Sequence, residues 1–148
     1  MFGCFFPLAL SLLGVDRKSV RMIDALFSQT NYSAVKKMLD ATALRQEAIA
    51  SNLANIENPG YKRMDVDASF AAELRQALGA GNSAQIGSLQ PSLAVDASAV
   101  SNTPDGNTVQ LEKELMNLNQ NTIAHALETQ LVTGQLMRLR LAITGRST

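Results

Sequence analysis

The sequence predicts an all-α dominated fold in which two long terminal helices pair as a coiled coil, joined by an irregular middle segment. Two stripes and one compositional break predict it. Val35, Leu39, Thr42, Gln46, Ile49, Leu53 and Ile56 follow one another at alternating four- and three-residue spacing. Leu111, Leu115, Leu118, Thr122, His125, Thr129, Val132, Leu136, Leu139 and Ile143 do the same. That spacing is the heptad seam of helices that pack along their length. Between the stripes, from Gly79 to Thr108, the only charges are Asp96 and Asp105, in a run rich in Ser, Gly, Asn and Ala.

The first helix is expected over residues 34–56, about 35 Å long, with Ser33 as its N-cap. Leu44 to Ile56 contains no Gly or Pro, and its residues are good helix formers. Ala34, Ala41 and Ala48 make a second line at seven-residue spacing, where small side chains admit a close neighbour. Asn58-Pro59-Gly60-Tyr61 then ends the helix. Pro59 presets φ at the second turn position, and Gly60 supplies the positive φ of a type II turn at the third.

The middle, residues 57–107, is expected to be irregular. Phe70, Leu74 and Leu78 are four apart, which suits a short helix over 67–78, and Leu93-Ala94-Val95 suits a short β pairing. A stretch this long without structure is unusual in a compact monomer, and implies ordering by neighbours. The second helix is expected over residues 109–143, about 50 Å long, with Thr108 as its cap and Gly145 at its C′ position.

Bulk properties narrow the function. The chain has 148 residues, room for one domain. Thirteen basic and thirteen acidic residues balance, so net charge offers no reason to expect a nucleic-acid partner or an anionic membrane. Cys4 is the only cysteine, which excludes an internal disulfide and a cysteine-based zinc site.

No catalytic constellation is present, and no cofactor or small-molecule substrate is expected. His125 is the only histidine; on the seam it reads as a polar packing residue, since a metal site needs several ligands together. No Gly-x-Ser-x-Gly and no phosphate-cradling glycine loop occurs. Glu112, Lys113 and Glu114 open the second helix, where early carboxylates favour the helix dipole. Tyr61-Lys62-Arg63 is followed at once by Asp65 and Asp67, so it reads as packing and salt bridging between subunits rather than a nucleic-acid patch.

Two blocks carry a family resemblance. Asn52-Leu53-Ala54-Asn55, followed by Asn58-Pro59-Gly60-Tyr61-Lys62, resembles the N-terminal signature of flagellar axial proteins, the rod, hook and hook-associated family. Asn58 stands where that family usually has Thr and keeps its turn chemistry. Asp105-Gly106-Asn107-Thr108-Val109-Gln110-Leu111-Glu112-Lys113-Glu114 resembles a segment of the FlgB-type proximal-rod branch. The resemblance implies a structural, non-enzymatic subunit of the flagellar basal-body proximal rod, in the periplasm. It implies type III export, self-assembly into a helical tube, and an antiparallel pair formed by the two termini. The implied partners are other rod subunits, basal-body proteins on the MS-ring and export-gate side, and the export apparatus. The residues it implicates as family motif and assembly interface are Asn52, Leu53, Ala54, Asn55, Pro59, Gly60, Tyr61, Lys62, Asp105, Gly106, Asn107, Val109, Leu111 and Glu114.

Residues 1–21 differ from the rest. Phe2 to Leu13 is nearly all apolar but shorter than the about 20 residues of a membrane-spanning helix. Arg17, Lys18 and Arg21 follow the apolar run, the reverse of signal-peptide order. Met22-Ile23-Asp24-Ala25-Leu26-Phe27 resembles the family's opening, so residues 1–21 are expected to be an upstream extension and 22–148 a single axial rod domain. Two alternatives stay open: a membrane-tethered or secreted helical adaptor, with residues 1–21 as its anchor, and another short rod protein.

Overall fold

A computed structural model of the chain describes residues 30–101 and 104–145. The proposed extension and the Met22 start lie outside these residues. The order is α1 (Thr30–Ala54), β1 (Met64–Val66), α2 (Ala68–Gly79), α3 (Ser83–Ser88), β2 (Leu93–Val95) and α4 (Leu111–Thr144). The protein is mostly α, as the heptad stripes predict.

The long helices pack against each other in opposite directions. Asn52 meets Glu114, Gln46 meets Asn121, and Thr42 meets Glu128, so positions rise along one helix as they fall along the other. The predicted stripe on α1 is largely the one used: Thr42 and Ile49 are buried, and Gln46 accepts a bond from α4.

The predicted stripe on α4 flanks the inward row and turns only part of itself inward: Leu118, Val132 and Leu139 are half-buried. The buried residues of α4 are Glu114, Asn121 and Glu128, a row at seven-residue spacing beside the row Leu111, Leu118, His125, Val132 and Leu139. Leu111, Leu115, Leu136 and Ile143 are exposed instead, and His125 lies on the exposed side. The reason is chemical. Thr42 and Gln46 present oxygen and hydroxyl groups to α4, and buried polar groups need polar partners. Asn121 Nδ2 donates to the Thr42 carbonyl at 2.9 Å and to Gln46 Oε1 at 3.0 Å, and the Thr42 hydroxyl donates to Glu128 Oε2 at 2.8 Å.

The apolar core lies on the other side of α1. Ala34, Val66, Phe70, Leu74, Ala77 and Ile86 are buried together, with Ala41, Leu44 and Leu93 packed against them. Ala34 and Ala41 of the alanine line thus admit α2 and α3. The middle is more regular than its composition predicts, and the single chain orders it. Asp67 caps α2, its side chain accepting from Ser69 N–H, and Asn82 caps α3, accepting from Gln85 N–H. Ile86, fully buried, anchors α3. β1 and β2 pair antiparallel, Met64 with Val95 and Val66 with Leu93.

Helix ends shift for local reasons. α1 already contains Ser33, so Ser33 is not its N-cap. At its far end Asn55 Nδ2 donates to the Ser51 carbonyl at 2.8 Å, and the helix stops at Ala54. α4 starts at Leu111 after Gln110, which makes no side-chain cap bond. The Thr108 hydroxyl is engaged elsewhere, accepting Arg63 N–H at 2.8 Å. Gly145 ends α4 at φ 65° with its N–H on the Leu141 carbonyl, as expected of a C-terminal glycine. Among the described residues no helix is long and apolar enough to cross a membrane.

Candidate functional site

The turn after α1 forms as its residues dictate. Tyr61 N–H donates to the Asn58 carbonyl at 3.3 Å, and Gly60 has φ 73°. The turn presents its backbone to the second block. Gly60 N–H donates to the Asp105 carbonyl at 2.9 Å, and Thr108 N–H donates to the Tyr61 carbonyl at 3.1 Å. Lys62 Nζ donates to the Gly106 carbonyl at 3.0 Å. The two sequence blocks thus form one structure.

Asn107 is its capstone. A helix ends with carbonyls that lack intrahelical partners. Asn107 Nδ2 lies 3.0 Å from the Asn55 carbonyl and 2.9 Å from those of Ile56 and Asn58. Its Oδ1 accepts Val109 N–H at 2.8 Å, steering the chain toward α4. One buried amide therefore closes the end of α1 and leads into α4.

Asn52, fully buried, acts one turn earlier. Its Nδ2 donates to the Met64 carbonyl at 2.8 Å and its Oδ1 accepts Met64 N–H at 2.9 Å, pairing with that backbone as a strand would. Nδ2 also reaches Glu114 Oε2 at 3.3 Å, and the Tyr61 hydroxyl donates to Oδ1 at 3.4 Å.

Arg63 joins all of these parts. Its side chain is 3 % exposed and serves three carboxylates: Nε to Glu114 Oε1 at 2.6 Å, Nη1 to Asp96 Oδ2 at 2.6 Å, and Nη2 to Asp65 Oδ2 at 2.9 Å. Asp65 Oδ1 takes a further bond from Arg45 Nε at 2.9 Å. The planar guanidinium fork suits this arrangement better than an ammonium. Burial pulls the Arg63 pKa down, but hydrogen bonds and charges from Glu114 and Asp65 outweigh it and hold it above the ordinary arginine value. Burial pushes Asp65 up, and Arg45 and Arg63 overcome that push and leave it below the usual carboxylate range. Asp96 is held low first by the Ser98 hydroxyl, against burial, with the Ser98 N–H and Arg63 adding to the effect.

The motif residues divide by exposure. Asn52, Asn107, Val109 and Glu114 are buried in the clasp, and Leu53, Asn55, Tyr61 and Gly106 are half-buried. Ala54, Pro59, Gly60, Lys62, Asp105 and Leu111 face outward. Arg63 was expected to bridge subunits, and its ion pairs lie within the chain. Sequence reasoning gave Glu114 a dipole role and a place in the family motif, placed Asp65 beside Arg63 as a salt-bridging charge, and assigned nothing to Arg45 or Asp96. One signal was present: a lone carboxylate such as Asp96 in a charge-poor segment needs a cation. Among the described residues no group of His, Cys, Asp and Glu is placed to hold a metal ion.

The family model described as flagella basal body rod protein matches residues 39–62, the second half of α1 and the turn that enters the clasp. The chain is 33% identical over 109 residues to the flagellar basal body rod protein FlgB of Cereibacter sphaeroides, covering 68% of this chain and 84% of that one. It is 30% identical over 125 residues to FlgB of Borrelia hermsii, covering 72% and 90%. The chain belongs to the FlgB family of flagellar basal body rod proteins. The FlgB of Salmonella typhimurium extends the similarity furthest along the chain of these three, 28% over 140 residues, 84% of this chain and 99% of that one. As a member of the FlgB family the protein is a structural subunit of the basal-body rod. Within it, the clasp does structural chemistry: it fixes the angle at which the chain leaves α1, crosses the small sheet and enters α4.

Proposed function

We propose that this rod subunit stands at the proximal end of the rod, is exported unfolded by the flagellar type III apparatus, and folds outside the inner membrane. There it polymerises with other rod subunits, against basal-body proteins on the MS-ring and export-gate side, into a helical tube. Its role is architectural and not catalytic. The observation that carries the reading is the convergence of the two family blocks in one buried clasp. It shapes the helix pair and leaves Ala54, Pro59, Lys62, Asp105 and Leu111 as a rim on the surface. That rim is the assembly contact at the end of the pair. Head-to-tail contacts of this kind build open helical assemblies when the rotation does not close.

The test is complementation. In a strain lacking the gene, the full chain restores swimming and is found in isolated basal bodies, and so does a chain begun at Met22. Exported protein that never enters basal bodies would overturn the structural role. Failure of the Met22 chain alone would make residues 1–21 part of the working protein.

A further inference from the structure

Resting on the rod reading, we infer that the groove between α1 and α2 receives a lysine side chain from another protein of the basal body, its ammonium set on the Glu128 carboxylate. The groove is an open cavity of about 360 Å³. Met38 and Ala41 of α1 and Phe70, Leu74 and Leu78 of α2 give it apolar walls. Met38 is left 42% exposed there. Thr42 and Glu128 are the buried polar residues that line it, while Arg45, Asp67 and Arg75 are its more exposed polar members.

Glu128 lacks a cation. It is 4% exposed, and among the described residues no ion pair reaches its carboxylate. Its one hydrogen bond there comes from Thr42, and that donor is shared. The Thr42 hydroxyl lies 2.8 Å from Glu128 Oε2 and 3.0 Å from the Leu39 carbonyl, and a hydroxyl has a single proton to give. A carboxylate taken out of water is costly unless it is paired and hydrogen-bonded. Glu114, in the same row of α4, shows the contrast: it is fully buried and meets Arg63 Nε at 2.6 Å. The two arginines along the groove leave Glu128 unpaired. Arg45 is bound to Asp65 at 2.9 Å, and Arg75 is exposed on α2.

Shape and chemistry select lysine. Its flexible four-carbon stem lies well along walls of Met, Phe and Leu, and its head is a compact charge with three donors. A guanidinium is at its best on both oxygens of a carboxylate at once, and Oε2 is already engaged by Thr42. The lysine comes from a different protein. Among the described residues, Lys36 of this chain lies over the Tyr32 ring and Lys62 is bound to the Gly106 carbonyl. Lys37 and Lys113 are half-buried. None of the four offers a free, exposed stem. The pair acts as a selector: a neighbour that brings an uncharged or acidic residue into the groove leaves Glu128 buried and unpaired.

The test is zero-length cross-linking in isolated basal bodies. A water-soluble carbodiimide joins a carboxylate to an amine only where the two touch. It should link Glu128 to a lysine of another protein, read by mass spectrometry of the digested product. Ala71→Trp, on the exposed side of the groove, should abolish the link with the carboxylate intact. Chain present in basal bodies with no link from Glu128, a link only to a lysine of this same sequence, or a link that survives Ala71→Trp would overturn the inference. Absence of the unsubstituted chain from basal bodies would instead overturn the rod reading, and the purified full chain then decides whether the groove takes a lysine. It is titrated with Nα-acetyl-lysine amide and with the uncharged Nα-acetyl-norleucine amide. NMR signals of Met38 and Thr42 should respond to the lysine compound at about tenfold lower concentration. Glu128→Gln, which keeps an oxygen for the Thr42 hydroxyl, should remove that advantage. Equal responses to the two compounds, or a preference that persists in Glu128→Gln, would overturn it.

Discussion

Arg63 Nε stands 2.6 Å from Glu114 Oε1, an ion pair between residues 51 positions apart, with the carboxylate fully out of water. Such a pair adds little net stability compared with a well-packed apolar pair, but breaking it is costly because one charge is left buried alone. Arg63→Ala should therefore lower unfolding stability by about 3–5 kcal/mol, read as a fall in the urea midpoint. Arg63→Lys should recover only part, because an ammonium cannot reproduce the fork to three carboxylates. In a double-mutant cycle, Glu114→Gln should cost much less once Arg63 is gone.

Acid should open the clasp from the aspartate side. Asp65 and Asp96 both have folded-state pKa values below the ordinary 3.8. A group so depressed contributes stability that is fully present above its unfolded pKa and is lost as pH falls through its folded value. The contribution should thus hold from neutral pH down toward about pH 5 and fade below about pH 4. Arg63, shifted upward from an already high value, stays charged throughout that window. Urea midpoints at pH 7, 5 and 3 check this, and Asp65→Asn should flatten the acid limb.

Asn107→Asp should be worse than Asn107→Ala. The alanine loses the donor that serves three carbonyls, about 1–3 kcal/mol for buried groups left unsatisfied. The aspartate adds a carboxylate facing the same three carbonyls. Thermal unfolding of the two variants gives the order, and equal melting points would count against the cap.

Gly60→Val should strain the turn and not its surroundings. At φ 73° a side chain is disfavoured, yet no atom lies within 4 Å of the position its Cβ would take. The cost is then conformational, about 1–2 kcal/mol, and helix content of the free chain should survive. Motility should suffer more, because the turn docks on Asp105 and aims the chain across the clasp. Normal swimming in a Gly60→Val strain would show that this geometry is dispensable.

Phe70→Ala tests where the core lies. Phe70 is buried with Leu74 and Ile86 between α1 and the middle segment, so its loss should cost about 3–5 kcal/mol. Hydrogen exchange should rise first at α2, α3 and the β1–β2 pair, and later along α4.

What the sequence determined alone is what short stretches of chain decide for themselves. Helix from Leu44 to Ala54, the positive φ of Gly60, the αL cap at Gly145 and the four-apart row Phe70, Leu74, Leu78 all follow from backbone sterics and local periodicity. The two motif blocks were legible as well, because each is a contiguous turn with its own chemistry. Only the tertiary structure decided which side of α4 turns inward. Its rows share one period, so spacing cannot choose among them; Thr42 and Gln46 on the opposing helix choose the row that can answer their hydrogen bonds. Only the tertiary structure, likewise, could bring Arg63 to Glu114, Asp96 and Asp65, or Asn107 to the end of α1. A cation in sequence shows its charge, and its partner is set by which distant carboxylate the folded backbone leaves beside it, away from water.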